Sequence, residues 1–99
     1  MPERETPPWI EHLDEADLQF VRRMILASGS LKELAAEYEV SYPTIRQRLD
    51  RIIERIRLIE KHDDADAFEI RLRLMVADGR VEPRTGGELM KLHRSAKGK

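Results

Sequence analysis

The sequence predicts an all-α fold: a trihelical helix-turn-helix with a long third helix, followed by a short C-terminal helical pair. Three observations carry this. Residues 31–59, LKELAAEYEVSYPTIRQRLDRIIERIRLI, contain two runs of apolar residues at helical spacing, separated by a three-residue corner. In the second run Ile45, Leu49, Ile52, Ile56 and Ile59 follow in alternating steps of four and three, which lines them along one stripe of a helix. Upstream, Leu18, Val21 and Ile25 repeat at the same period and supply the first of the three helices. One stretch admits a competing pattern. EIRLRLMV at 69–76 alternates like a strand, and a hairpin at 69–82 would turn the fold into a winged helix.

Taken in order, residues 1–13 read as an extended arm, because a polar lead is followed by Pro7-Pro8, which favours an extended path to Trp9, Ile10 and Leu13. Asp14 then serves as an N-cap, Glu15 and Asp17 complement the positive helix terminus, and Leu13 staples onto Leu18. This helix runs to about Ala27 and buries Leu18, Val21 and Ile25, with Met24 alongside. Ser28-Gly29-Ser30 ends it and caps the next. The second helix carries Leu31, Leu34, Ala35 and Tyr38, with the small Ala35 allowing close approach of its neighbour. At the corner Glu39 stands where glycine is common, since that position often needs positive φ, and Val40 plugs the turn. Ser41 caps the third helix by accepting the backbone N–H of Thr44, and Pro43 sits in the first turn, where a missing N–H costs little. The helix continues to about Lys61, roughly 30 Å at 1.5 Å per residue, which closes a helix-turn-helix domain at 14–61. A helical hairpin follows at 62–94. His62-Asp63-Asp64 breaks the chain, a helix runs over about 64–77, Asp78-Gly79 turns it, and Glu82-Pro83 starts a last helix bearing Leu89, Met90 and Leu92. Gly86-Gly87 allows this helix to approach the preceding one closely, and 95–99 is a frayed, basic tail.

The run LASGSLKELAAEYEVSYPTIRQRLDRII, together with the upstream PPWIEHL, resembles a bacterial family of small helix-turn-helix proteins known only as a domain of unknown function. The similarity covers residues 7–61, with a looser likeness to the C-terminus. Members of that family are similar to the trihelical DNA-binding units of sigma-factor region four and of quorum-sensing response regulators, and some carry an N-terminal zinc ribbon. This chain has no cysteine and therefore no ribbon. What the resemblance implies is a regulator of transcription, with no catalytic residues to carry over.

Composition bounds the remaining possibilities. Ninety-nine residues with 40% hydrophobic content support one small domain whose core is near the lower limit for independent folding, a shortage that dimerisation would relieve. With 37% charged residues, no stretch is apolar enough to span a membrane, and no signal-peptide pattern opens the chain. The lack of cysteine removes disulfides and thiolate metal sites, so a cytoplasmic protein without cofactor is expected. Net charge is only −1, yet its distribution is uneven. Residues 1–40 hold four Lys/Arg against nine Asp/Glu, 41–61 hold six against three, and 62–99 hold eight against seven. Positive charge thus gathers on the third helix, where contact with phosphates would need it.

With the buried stripe on Ile45, Leu49, Ile52 and Ile56, the opposite side of the third helix carries Pro43, Arg46, Gln47, Asp50 and Glu54, flanked by Tyr42 and Arg51. Arg46 can pair bidentately with guanine and Gln47 with adenine. Tyr42 and Thr44 can hold phosphates near the helix N-terminus, and Arg48, Arg51 and Arg55 form a flanking basic stripe. Arg22, Arg23 and Lys32 are further backbone contacts. The bland alternative is a solvated face with an Arg46–Asp50 pair, and Asp50 and Glu54 argue for it because they would repel a duplex. The far half of this helix, with Ile52, Ile53, Ile56 and Ile59, has the spacing of a coiled-coil seam and can bury its apolar side within the chain or in a two-fold homodimer, to which Trp9 could contribute. The expected partner is double-stranded DNA. The rival is a helical interaction module that binds a protein of the transcription machinery. Catalysis is not expected: His12, His62 and His93 sit at no metal-ligand spacing, and no nucleophile-elbow, zincin or phosphate-loop pattern occurs.

Overall fold

The computed structural model describes residues 6–98, and within them the chain forms six helices and no strand. The polar lead at 1–5 and the final residue of the expected tail lie outside this range. In order the helices are α1 (Pro8–His12), α2 (Glu15–Leu26), α3 (Leu31–Tyr38), α4 (Tyr42–Lys61), α5 (Ala67–Ala77) and α6 (Pro83–Lys97). The all-α prediction holds. The winged alternative does not, since 69–77 lies in α5 and 78–82 is the link that leads to α6. The chain divides after Arg57, inside α4, into two compact units.

In the first unit the extended arm is corrected at Pro8–His12, which forms a short helix with Pro8 at its start. Proline at the first helical position has the right φ already and lacks only an N–H that would have no partner there. α2 opens on Asp14, whose side chain accepts the Asp17 N–H at 2.8 Å. Its inward face also differs from expectation. Phe20 is fully buried, Asp17 and Ala27 nearly so, and Met24 partly, whereas Ile25 is 70% exposed. The inward face thus centres on Asp17, Phe20, Met24 and Ala27, with the expected Leu18 and Val21 half-buried beside it, and a carboxylate occupies its first inward position. Arg55 makes this tolerable: its Nη1 lies 2.8 Å from Asp17 Oδ2 and 3.7 Å from Asp14 Oδ2. Burial pushes the Asp17 carboxyl above its ordinary pKa, and the nearby Arg55 guanidinium pulls it back. Leu34, Ala35, Ile45 and Ile52 complete the buried set on α3 and α4.

The second unit begins with the last turn of α4. Asp66 caps α5 by accepting the Glu69 N–H at 3.0 Å. Ile70, Leu72 and Leu74 are all buried, so α5 is apolar on opposite sides. That burial on opposite sides explains the strand-like alternation in its sequence, because a helix covered on more than one side has no need of a single apolar stripe. The tail is shorter than expected, since α6 remains helical to Lys97. It is tied to Asp66, whose Oδ2 lies 2.7 Å from both His93 Nε2 and Lys97 Nζ. These contacts, led by the Lys97 bond, hold the Asp66 carboxyl well below the ordinary carboxylate range and raise the Lys97 ammonium above its own.

Two predictions arise here. Because folded Asp66 binds its proton more weakly than the unfolded chain does, the stabilisation it supplies is complete above the unfolded carboxylate pKa of about 4 and is lost as pH falls below it. Asp17 has the opposite sign: its raised pKa means protonation favours the folded state. Amide exchange followed on acidification should therefore show α5 and α6 loosening before α2, and Asp66→Asn should flatten that dependence. The second concerns the paired glycines. A Cβ on Gly86 would stand 2.6 Å from Val76 Cγ2, while one on Gly87 would meet nothing within 4 Å. Gly87→Ala should thus stabilise the protein by about 1 kcal/mol through helix propensity. Gly86→Ala should destabilise it by a similar amount, because overpacking outweighs that gain. Paired urea titrations check both.

Candidate nucleic-acid interface

The corner between α3 and α4 is built from backbone hydrogen bonds that its sequence makes possible. Ser30 caps α3 by accepting the Glu33 N–H at 3.1 Å. At the other end Glu39 adopts φ 57° and ψ 45°, the left-handed conformation expected of this position. Its N–H donates to Ala36 O at 3.1 Å and that of Val40 to Ala35 O at 3.0 Å, the paired closure of a Schellman motif. Val40 remains 39% exposed and so does not plug the turn as expected. Ser41 Oγ accepts the Thr44 N–H at 3.3 Å and shares a 3.0 Å hydrogen bond with the Thr44 hydroxyl, which starts α4. Glu39, Val40 and Ser41 are thus the three corner residues.

α4 emerges with its sides committed differently. Ile45 and Ile52 are buried, and Leu49 is half-buried between them. Arg48 and Arg55 also turn toward the first unit. The Arg48 guanidinium lies 5.3 Å from the centre of the Phe20 ring, and its Nη2 donates to Ala16 O at 3.3 Å. The Arg55 side chain is only 15% exposed in its pair with Asp17. The flanking basic stripe expected from Arg48, Arg51 and Arg55 is therefore reduced to Arg51, since the other two guanidinium groups anchor α4 to α2. The sequence held the clue in Asp17, an acid at a helical distance from apolar residues, but not its partner 38 residues away.

The opposite side is exposed as expected: Tyr42, Pro43, Thr44, Arg46, Gln47, Asp50, Arg51 and Glu54 all face solvent. Arg46 Nη2 is paired with Asp50 Oδ1 at 3.1 Å, and Glu54 with Arg57 at 3.6 Å. These exposed pairs contribute little stability, about 0.3–0.5 kcal/mol for i,i+4 geometry, so a stronger acceptor can take the arginine over. Nearby, Lys32 and Arg22 are exposed, and Arg23 lies 5.0 Å over the Tyr38 ring. Of the residues assigned to a dimer contact, Ile52 and Ile59 are buried within the chain itself, while Trp9, Ile53 and Ile56 are half-exposed.

Among the described residues, none of the helices is long and apolar enough to cross a membrane, and no three His, Asp or Glu side chains gather as a metal site would require. Residues 13–59 match the family model described as a domain of unknown function (DUF2089), helix-turn-helix. The match spans α2, α3 and nearly all of α4, and it bears out the resemblance to a small helix-turn-helix family of unknown function. No curated protein and no solved structure matches the chain significantly.

Proposed function

We propose that this chain binds double-stranded DNA as a transcription regulator, laying the first two turns of α4 in the major groove, and that it works by binding rather than catalysis. The observation that carries this reading is the division of labour on α4. Arg48 and Arg55 fasten one side to α2, and the same helix presents Arg46, Gln47 and Arg51 to solvent beyond a left-handed corner at Glu39. The helix-turn-helix match over the same residues supports it. In this reading Arg46 and Gln47 contact base edges, while Tyr42, Pro43 and Thr44 line the N-terminal approach and Arg51 reaches phosphate. A single unit offers few phosphate contacts, so two copies would be needed for tight binding, reading half-sites about 34 Å apart or a multiple of that. Trp9, Ile53 and Ile56 are the apolar surface offered to a second copy.

A second reading, a helical module that docks on a protein of the transcription apparatus, is favoured by the acids beside Arg46 and by the exposed Ile25 and Leu26 at the end of α2. Gel shift on mixed-sequence duplexes across a salt series separates the two. DNA binding predicts affinity that falls steeply with salt, by about tenfold or more between 50 and 200 mM for a dimer with several phosphate contacts. Absence of any shift at the lowest salt overturns the DNA reading, and sedimentation at micromolar concentration tests the dimer.

A further inference from the structure

The second unit contains an open apolar pocket of about 410 Å³, within the size range of sites that take small organic ligands. Leu58, Leu72, Val76 and Met90 supply its apolar walls. Arg73 and Arg94 also line it, and its lining contains no acidic side chain. The two arginines differ in their commitments. Arg94 is tied through Nη2 to Glu69 at 3.3 Å. Arg73 is half-buried, and its Nε–H is buried with no hydrogen-bond acceptor among the described residues. Arg73 thus places a cationic side chain in a mostly apolar wall with its buried Nε–H unpaired, and such a cation favours an anion that reaches its guanidinium.

We infer that this pocket is a binding site for a small organic carboxylate with an apolar body, its acid paired with Arg73 and its hydrocarbon lying along Leu58, Leu72 and Met90. Charge selects the class of ligand: two cations and no anion in the wall disfavour a cationic compound, and the apolar walls disfavour a small inorganic anion. Gly87 lines the pocket with open space around it, since a Cβ there would meet nothing within 4 Å. The site is independent of the proposed DNA contact, because its lining shares no residue with that surface.

The test uses the full chain with phenylbutyrate and decanoate as probes, each against the alcohol of matching size, read by calorimetry and by methyl shifts in NMR. The carboxylates should bind at least about tenfold more tightly than the alcohols, the value of a charge-assisted hydrogen bond. Their methyl shifts should centre on Leu58, Leu72, Val76 and Met90. Arg73→Gln should erase the preference for the acid while leaving the weak binding of the alcohol, and Gly87→Leu should block both without unfolding the helix. Equal binding of acid and alcohol, or an acid preference that survives Arg73→Gln in a folded variant, would overturn the assignment. So would shifts centred elsewhere.

Discussion

Phe20→Ala is expected to unfold the first unit at ordinary temperature. Removing a fully buried aromatic side chain costs about 3–5 kcal/mol, which is most of what a unit of this size has to lose. The ring also does more than fill space. It lies 5.8 Å from the Tyr38 ring and beneath the Arg48 guanidinium, so α2, α3 and α4 all meet on it. Its loss would leave Arg48 without its platform as well as opening a cavity. Ile25→Ala is the control, because a side chain 70% exposed should change stability by no more than about 0.5 kcal/mol. Urea unfolding followed by circular dichroism distinguishes the two, and similar losses for both variants would refute the orientation described for α2.

The second large effect is expected on DNA. If Arg46 and Gln47 contact bases, each truncation removes about 1–3 kcal/mol, and Arg46→Ala/Gln47→Ala together should lower affinity for a selected site by a factor of about thirty or more. Binding to unrelated duplex should change less, because only Arg46 carries charge. Asp50→Asn should act in the other direction. It frees Arg46 from its 3.1 Å partner and removes a negative charge from the groove-facing side, so affinity should rise, with a greater gain at low salt. Fluorescence anisotropy with selected and scrambled duplexes measures all three. A double variant that binds its selected site like the parent would remove Arg46 and Gln47 from the interface.

Those contrasting effects follow from how differently the sequence reported its two kinds of helix face. The stripe Ile45, Ile52 and Ile59 was readable because each position is apolar and the period is unbroken over α4. The corner was readable from Ser41 and from the short gap, and Glu39 took the left-handed backbone that its position demanded despite not being glycine. The face of α2 was not, because its first inward residue is charged. Asp17 makes sense inside only once Arg55 is seen beside it, and a pair separated by 38 residues has no local signature. For the same reason Arg48 and Arg55 looked like solvent-facing cations of a basic stripe: periodicity locates a side chain around a helix but does not report that a long stem can bend to an aromatic ring or a carboxylate. The alternation in α5 admitted a strand beside the helix expected there, since burial on opposite sides of a helix imitates a strand.

The boundary between the two units falls after Arg57, within the 20-residue α4, rather than in a loop. A protease must draw several residues into an extended conformation, and here doing so would break consecutive helical hydrogen bonds on both sides of the cut. Limited digestion should therefore spare the boundary and nick first at the links on either side of α5, around 62–66 and 78–82. A recombinant fragment ending at residue 57 would likewise cut through a helix, so a separable first half should be designed to end at 61 or beyond.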